Sequence, residues 1–264
     1  MIKAIFFDCD GTLLSHNTNR VPERTVLVFD LLKKQGIKRI LSTGRHRSEL
    51  KELTQLKDLS FEAYITVNGA CTYDETGVID ARPISEKTKK TVYEYLQTHE
   101  LPIQFFLEED TFISCVNETV IRSQEGIHTP VPPLGDLKRI LEESVYLMVP
   151  FGIKEAEELI DMLEDVQVTR WNAHDAVDLV SLDAGKHNGM AAICRKNGIQ
   201  VDETMAFGDA MNDADMLRHA GISVAMGNGD AELKELADYV CGDIDEDGLY
   251  EALMHFGLLG GEQA

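Results

Sequence analysis

A chain of 264 residues is long enough for one large domain or two unequal ones, and a hydrophobic content of 44% is ample for a buried core. No apolar run approaches the ~20 residues needed to span a bilayer, which excludes a membrane-spanning helix. A formal charge of −21 repels phosphate backbones and anionic lipid, and no basic cluster or aromatic stripe counters it, so nucleic acid and membrane are excluded as partners.

The first residues, Met1-Ile2-Lys3-Ala4-Ile5-Phe6-Phe7, are too short an apolar run for a secretory signal and lead directly into acids. They are expected to form a strand buried on both faces of a parallel sheet. A helix follows over 22–35, opened by Pro22 and closed by Gly36, then a strand over 37–42, a helix over 47–56 and a strand over 63–67 that ends at Asn68-Gly69-Ala70. The alternation resumes late, with helices expected over 191–197, 213–220 and 231–237 and strands over 204–207 and 222–225.

Between these ends the texture changes. Strands are expected over 103–107, 112–116, 145–149, 166–169 and 177–182, helices over 86–98 and 154–164, and a surface connection at Pro130-Val131-Pro132-Pro133. The reading is therefore an α/β fold, a doubly wound and mostly parallel Rossmann-like core built from 1–81 and 184–264, interrupted by an inserted α+β domain over 82–183. Five cysteines (Cys9, Cys71, Cys115, Cys194, Cys241) are scattered with no Cys-x-x-Cys pair, so free thiols in a reducing, cytoplasmic setting are expected.

Chemistry concentrates at expected strand ends, where open α/β sheets bind ligands. Asp8-Cys9-Asp10-Gly11-Thr12 ends the first strand with two carboxylates and a turn whose amides could cradle an anion. Two acids this close repel when both are ionised, so either one is protonated or a hard divalent cation lies with them. A lone Asp-x-Asp is equally a turn with local capping. It is joined, however, by Gly208-Asp209-Ala210-Met211-Asn212-Asp213 at another strand end and by Ser42-Thr43-Gly44-Arg45 at a third. Each of these could also be a plain helix cap. Lys186, in a polar stretch ahead of a helix, adds one ammonium, and the set together makes a site for Mg²⁺ and phosphate.

These residues, in this order, resemble the haloacid dehalogenase superfamily, specifically its Cof-type phosphatases with a large inserted cap. Four motifs carry the resemblance: Phe7-Asp8-Cys9-Asp10-Gly11-Thr12-Leu13-Leu14, Ser42-Thr43-Gly44-Arg45, Lys186, and Gly208-Asp209-Ala210-Met211-Asn212-Asp213, with Asn68-Gly69-Ala70 similar to a further loop of that branch. The resemblance implies a phosphoric monoester hydrolase in which Asp8 is the nucleophile and Asp10 the general acid and base. It implies Mg²⁺ bound by Asp8, the backbone carbonyl of Asp10 and Asp209, with Asp213 orienting a bound water from behind. Thr43, Lys186 and Asn212 would hold the phosphoryl group, and Arg45 and Asn68 are candidates for substrate contact. The 82–183 insert would be a cap that selects the leaving group; Arg122, His128, Trp171 and His174 lie in it, each also readable as a packing or surface residue.

The expected substrate is a small phosphorylated metabolite such as a sugar phosphate, a nucleotide or a cofactor phosphate, and the expected assembly a monomer or homodimer. A phosphomutase sharing the aspartyl-phosphate and a non-catalytic binding protein for a phosphorylated ligand are the alternatives. A receiver-type signalling domain fits less well, given the second acid and the long insert. Against so acidic a surface, Arg45 and Lys186 are expected to give the site a locally positive mouth.

Overall fold

The computed structural model of this chain describes residues 1–127, 129–171 and 174–259, so His128 lies outside the described residues. In chain order the first elements are β1 (Ala4–Phe7), α1 (Glu23–Lys34), β2 (Lys38–Ser42), α2 (Arg47–Glu52), β3 (Ala63–Thr66), β4 (Cys71–Asp74) and β5 (Gly77–Ala81). There follow α3 (Glu86–Leu96), β6 (Ile103–Phe106), β7 (Thr111–Ile113), α4 (Glu118–Gly126), α5 (Arg139–Glu142), β8 (Leu147–Pro150), α6 (Ile153–Asp161), β9 (Val166–Arg170) and β10 (Val177–Ser181). The chain closes with α7 (Lys186–Asn197), β11 (Thr204–Gly208), α8 (Ala214–His219), β12 (Ile222–Ala225), α9 (Ala231–Leu236), β13 (Tyr239–Val240) and α10 (Gly248–His255). No described helix is long and apolar enough to cross a membrane.

Two compact units result: Met1–Arg45 with Glu49–Ala81 and Gly185–Ala264, and His46–Ser48 with Arg82–Ala184. The short piece His46–Ser48 belongs to the second unit because His46 Nε2 meets the Leu107 carbonyl at 2.6 Å, its ring packs edge-on to Phe106, and Arg47 pairs with Glu109 at 2.5 Å.

The first unit is a sheet in the order β13-β12-β11-β1-β2-β3-β4-β5, parallel from β13 to β3 and antiparallel beyond. Alternation along β1 sends Ile5 and Phe7 to one face and Ala4 and Phe6 to the other. The first face packs on α1 and α10 through Val28, Phe29, Leu32 and Leu253, and the second on α7, α8 and α9 through Met190, Ile193, Leu217 and Leu233. Burial on both faces is why β1 is apolar throughout and β11 apolar after Thr204. The second unit is an antiparallel sheet, β7-β6-β8-β10-β9. Ile103, Phe105, Val177 and Leu179 on it share a core with Val92 and Tyr95 of α3 and Ala156 and Leu159 of α6, an α+β arrangement.

Several elements differ from the sequence pattern. The helix expected from 191 begins at Lys186, because burial of Lys186, Met190, Ile193 and Cys194 outweighs the weak helix preference of its polar, glycine-containing first turn. The helix expected over 47–56 ends at Glu52, and a 3₁₀ turn, Thr54–Leu56, follows it. The strand expected over 112–116 shortens to Thr111–Ile113, and the helix over 154–164 stops at Asp161. The β4–β5 hairpin and helices α4 and α10 were not signalled by the pattern. Phe29 is buried between the rings of Phe7 and Phe61, at centroid distances of 5.0 and 5.3 Å. Phe29→Ala is expected to lower the unfolding free energy by about 3–5 kcal/mol in urea titration, with little change in the m-value.

Candidate active site

Because β11, β1 and β2 lie side by side and parallel, their carboxyl ends bring the three sequence motifs together on one edge of the first unit. Asp8 is 5% exposed at the end of β1. Cys9 points into the apolar core, where burial, then the charges of Asp10 and Asp8, push its thiol up, so it serves packing and not nucleophilic chemistry. The Gly11 amide, an expected part of an anion cradle, instead donates to the Leu14 carbonyl at 2.8 Å and closes the turn. Gly11 has φ 88°, and a Cβ there would stand 2.2 Å from Asp209 Oδ2, so the close approach of the two acidic loops requires glycine.

Lys186, the first residue of α7, reaches Asp8 Oδ1 at 2.6 Å and Asp213 Oδ1 at 2.5 Å with its side chain fully buried. Burial works against the ammonium, but Asp213 and then Asp8 outweigh it and hold its pKa above the ordinary lysine value. The other oxygen of Asp213 accepts the amides of Asp209 and Ala210 at 3.1 and 3.3 Å, which turns the Gly208–Asp213 loop in on itself. Asp209 accepts from the Thr12 hydroxyl at 3.3 Å.

The second strand end is organised differently. Thr43 Oγ1 accepts the Arg45 amide at 3.1 Å, and the Arg45 guanidinium grips Asp10 in a fork, Nε to Oδ2 at 2.7 Å and Nη2 to Oδ1 at 2.8 Å. Asn212 Nδ2 donates to Asn68 Oδ1 at 3.2 Å. Asn68 sits in a turn in which Val67, Asn68 and Gly69 all have positive φ, 51°, 51° and 91°. A left-handed valine is strained, and the turn is held by Val67 and Asn68 amides donating to the carbonyls of Arg45 and Thr43 at 3.1 and 3.0 Å. Asp8, Asp10, Thr43, Arg45, Asn68, Lys186, Asp209, Asn212 and Asp213 thus all lie at these loops. The roles of Thr12 and of the loop after β12 escaped the sequence reading; for the latter the signal was present, a Gly-Asn-Gly-Asp turn at a further strand end.

A family model for haloacid dehalogenase-like hydrolases matches residues 5–253. The chain belongs to this family. YkrA of Bacillus subtilis is 30% identical over 259 residues, covering 97% of this chain and 98% of that one. The 5-amino-6-(5-phospho-D-ribitylamino)uracil phosphatase YcsE of Bacillus subtilis is 26% identical over 262 residues, 97% of this chain and 96% of the relative. Among solved structures, a subclass IIB sugar phosphatase of the superfamily superposes with a TM-score of 0.80 at 34% identity, over 97% of this chain and 99% of that one. The family resemblance carried by the four motifs therefore holds along the chain, and the enzyme is a phosphoric monoester hydrolase of the superfamily.

The donor set fits a hard divalent cation. Oxygens of Asp8, Asp209 and Asp213 lie within 4.8 Å of one another. The two cations expected to make a positive mouth are both matched by acids, Lys186 by Asp8 and Asp213 and Arg45 by Asp10, and the charges of His16 and Lys186 only partly offset the acid surplus around Asp209. Burial and then the neighbouring Asp213 raise the carboxyl of Asp8 well above the usual range and push that of Asp209 up to about 6. A cluster of oxygens that resists full ionisation is one that a doubly charged, oxygen-seeking ion relieves.

A sign follows for the metal-free protein. A carboxyl whose folded pKa is about 6, against 3.8 as the reference, binds its proton more readily when folded, so stability is lost as pH rises through about 6. Melting of metal-free protein is expected at a lower temperature near about pH 7.5 than near about pH 5.5, and Asp209→Asn is expected to shrink that difference. An unchanged difference in the variant would refute the assignment to Asp209.

Proposed function

We propose that this enzyme hydrolyses small organic phosphomonoesters through an aspartyl-phosphate on Asp8, with Asp10 as general acid and base. The observation that carries the reading is the buried Asp8 carboxylate held 2.6 Å from the Lys186 ammonium at the carboxyl end of the central strand, in one acid cluster with Asp209 and Asp213. A nucleophile so placed has one oxygen fixed and its charge partly offset by a lysine it shares with Asp213, which suits a reaction governed by positioning and charge compensation.

In the first half reaction Asp8 attacks phosphorus, the ester P–O bond breaks, and Asp10 gives its proton to the leaving oxygen. In the second half Asp10 takes a proton from water as the water oxygen attacks phosphorus, which frees inorganic phosphate and restores Asp8. Both oxygens of Asp10 accept from Arg45, so the fork must open for the proton to pass; Arg45 released in this way is suited to a substrate oxygen. Thr43 and Asn212 are assigned to the phosphoryl oxygens, Asn68 to steadying Asn212 and to substrate contact. Lys186 stays paired and buried and balances the nucleophile throughout.

Asp8, the backbone carbonyl of Asp10 and Asp209 would hold Mg²⁺, with Asp213 behind them in the same acid cluster. Bound there, Mg²⁺ would supply charge neutralisation for the transferring phosphoryl group. The 82–183 region is assigned the role of the cap that selects the leaving group. The sugar phosphatase and the phosphoribitylaminouracil phosphatase among the relatives make phosphorylated sugars and phosphoribityl compounds the first substrates to assay.

Phosphate release from a panel of phosphomonoesters is expected to require Mg²⁺ and to fall by at least about a thousandfold in Asp8→Asn. Wild-type protein that binds phosphomonoesters yet releases no phosphate from any of them would overturn the hydrolase reading.

A further inference from the structure

Two side chains outside the catalytic set bond to the same two loops that carry the acids. The chain leaves β12 into residues 226–230, Met-Gly-Asn-Gly-Asp, before α9 begins. Asn228 spends neither end of its amide on its own turn: Nδ2 donates to the Gly11 carbonyl at 2.8 Å, and Oδ1 accepts the Ile244 amide at 2.9 Å. Asp230 occupies the N-cap position of α9, where a carboxylate ordinarily serves its own helix, yet it makes no capping bond there. Its Oδ2 accepts instead the amide of Met211, at 3.1 Å, and its own amide donates to the Asp209 carbonyl at 2.7 Å.

Between them, Gly229 lies directly against the backbone of Asp209. A Cβ at this position would stand 2.6 Å from the Asp209 carbonyl oxygen and 2.9 Å from its Cα, and backbone cannot yield as a flexible side chain can. The hydrogen bonds of Asp209 show how fully it is fixed. Its amide donates to Asp213 at 3.1 Å, its carbonyl accepts from Asp230 at 2.7 Å, and its carboxylate accepts from Thr12 at 3.3 Å.

We infer that residues 226–230 form a strap that fixes the Gly11 turn and the Asp209 loop at one separation, with Asn228 and Asp230 as positioning residues that set divalent-cation affinity. The inference rests on the Mg²⁺ assignment proposed above. Asn228 holds the turn that follows the Asp10 carbonyl, and Asp230 holds the Asp209 loop, its carboxylate by accepting the Met211 amide and its main-chain amide by donating to the Asp209 carbonyl, so the strap reaches both sides of the ligand set while touching neither carboxylate. Mg²⁺ demands oxygen ligands at about 2.0–2.1 Å in near-octahedral geometry, so a small change in that separation is felt as lost affinity.

The test is calorimetric titration of MgCl₂ into full-length, substrate-free protein, with melting temperature recorded for each variant. Asn228→Ala is expected to weaken Mg²⁺ binding by about 10–100-fold. Asn228→Asp, which keeps an acceptor for Ile244 but loses the donor to Gly11, is expected to weaken it similarly. Asp230→Ala is expected to weaken it also, whereas Asp230→Asn keeps an oxygen for the Met211 amide and is expected to bind as wild type does. In turnover, saturating Mg²⁺ is expected to restore the folded Asn228 variants with KM for the phosphoester unchanged. Wild-type affinity in Asn228→Asp and Asp230→Ala would overturn the inference alone. Absence of Mg²⁺ binding in wild type would overturn the metal assignment, and the inference with it.

Discussion

Everything at the site is arranged around a single buried ammonium. Lys186 has no exposed side-chain surface, and bringing its charge out of water is tolerable only because Asp8 and Asp213 meet it at 2.6 and 2.5 Å. The dependence is mutual, since either carboxylate without the lysine would be a buried, uncompensated charge. This triad locks the start of α7 to the ends of β1 and β11, and so fixes the position of the Asp8 carboxyl.

The balance is deliberately incomplete, in the physical sense that the acids outnumber the cations they can reach. Lys186 and Arg45 together pair with Asp8, Asp213 and Asp10, and no described cation pairs directly with Asp209, which accepts from the Thr12 hydroxyl. An acid surplus among buried groups raises carboxyl pKa values, and a divalent cation among them would relieve the same excess. The strained turn at Val67–Gly69 belongs to the same pattern: backbone cost is carried beside the Thr43–Arg45 loop, where it aims Asn68 at Asn212.

The parallel sheet supplies the geometry that these charges need. Adjacent parallel strands place successive loops within side-chain reach of one another, so residues separated by up to 205 positions, Asp8 and Asp213, share one lysine. The loop after β12 extends the principle to a fourth strand end, with Asn228 and Asp230 bonding to the backbone of the neighbouring loops.

Sequence by itself determined the alternation of strand and helix at both ends of the chain, because strands buried on both faces must be apolar throughout and the loops at their ends must be polar. It pointed to the acids and the lysine only as a set: each motif alone reads as a turn, a cap or a solvated charge, and three strand ends carrying acids and a hydroxyl, with one lysine in order, are what made the pattern of the family. Tertiary structure decided what no local pattern encodes. That Lys186 is inside α7, that Arg45 is spent on Asp10, and that the Gly11 amide closes its own turn all depend on partners distant in sequence or on packing against another element. Asn228 is the sharpest case, since by pattern it is one more turn residue, and only the closure of β12 beside β11 brings its amide to Gly11 and Ile244.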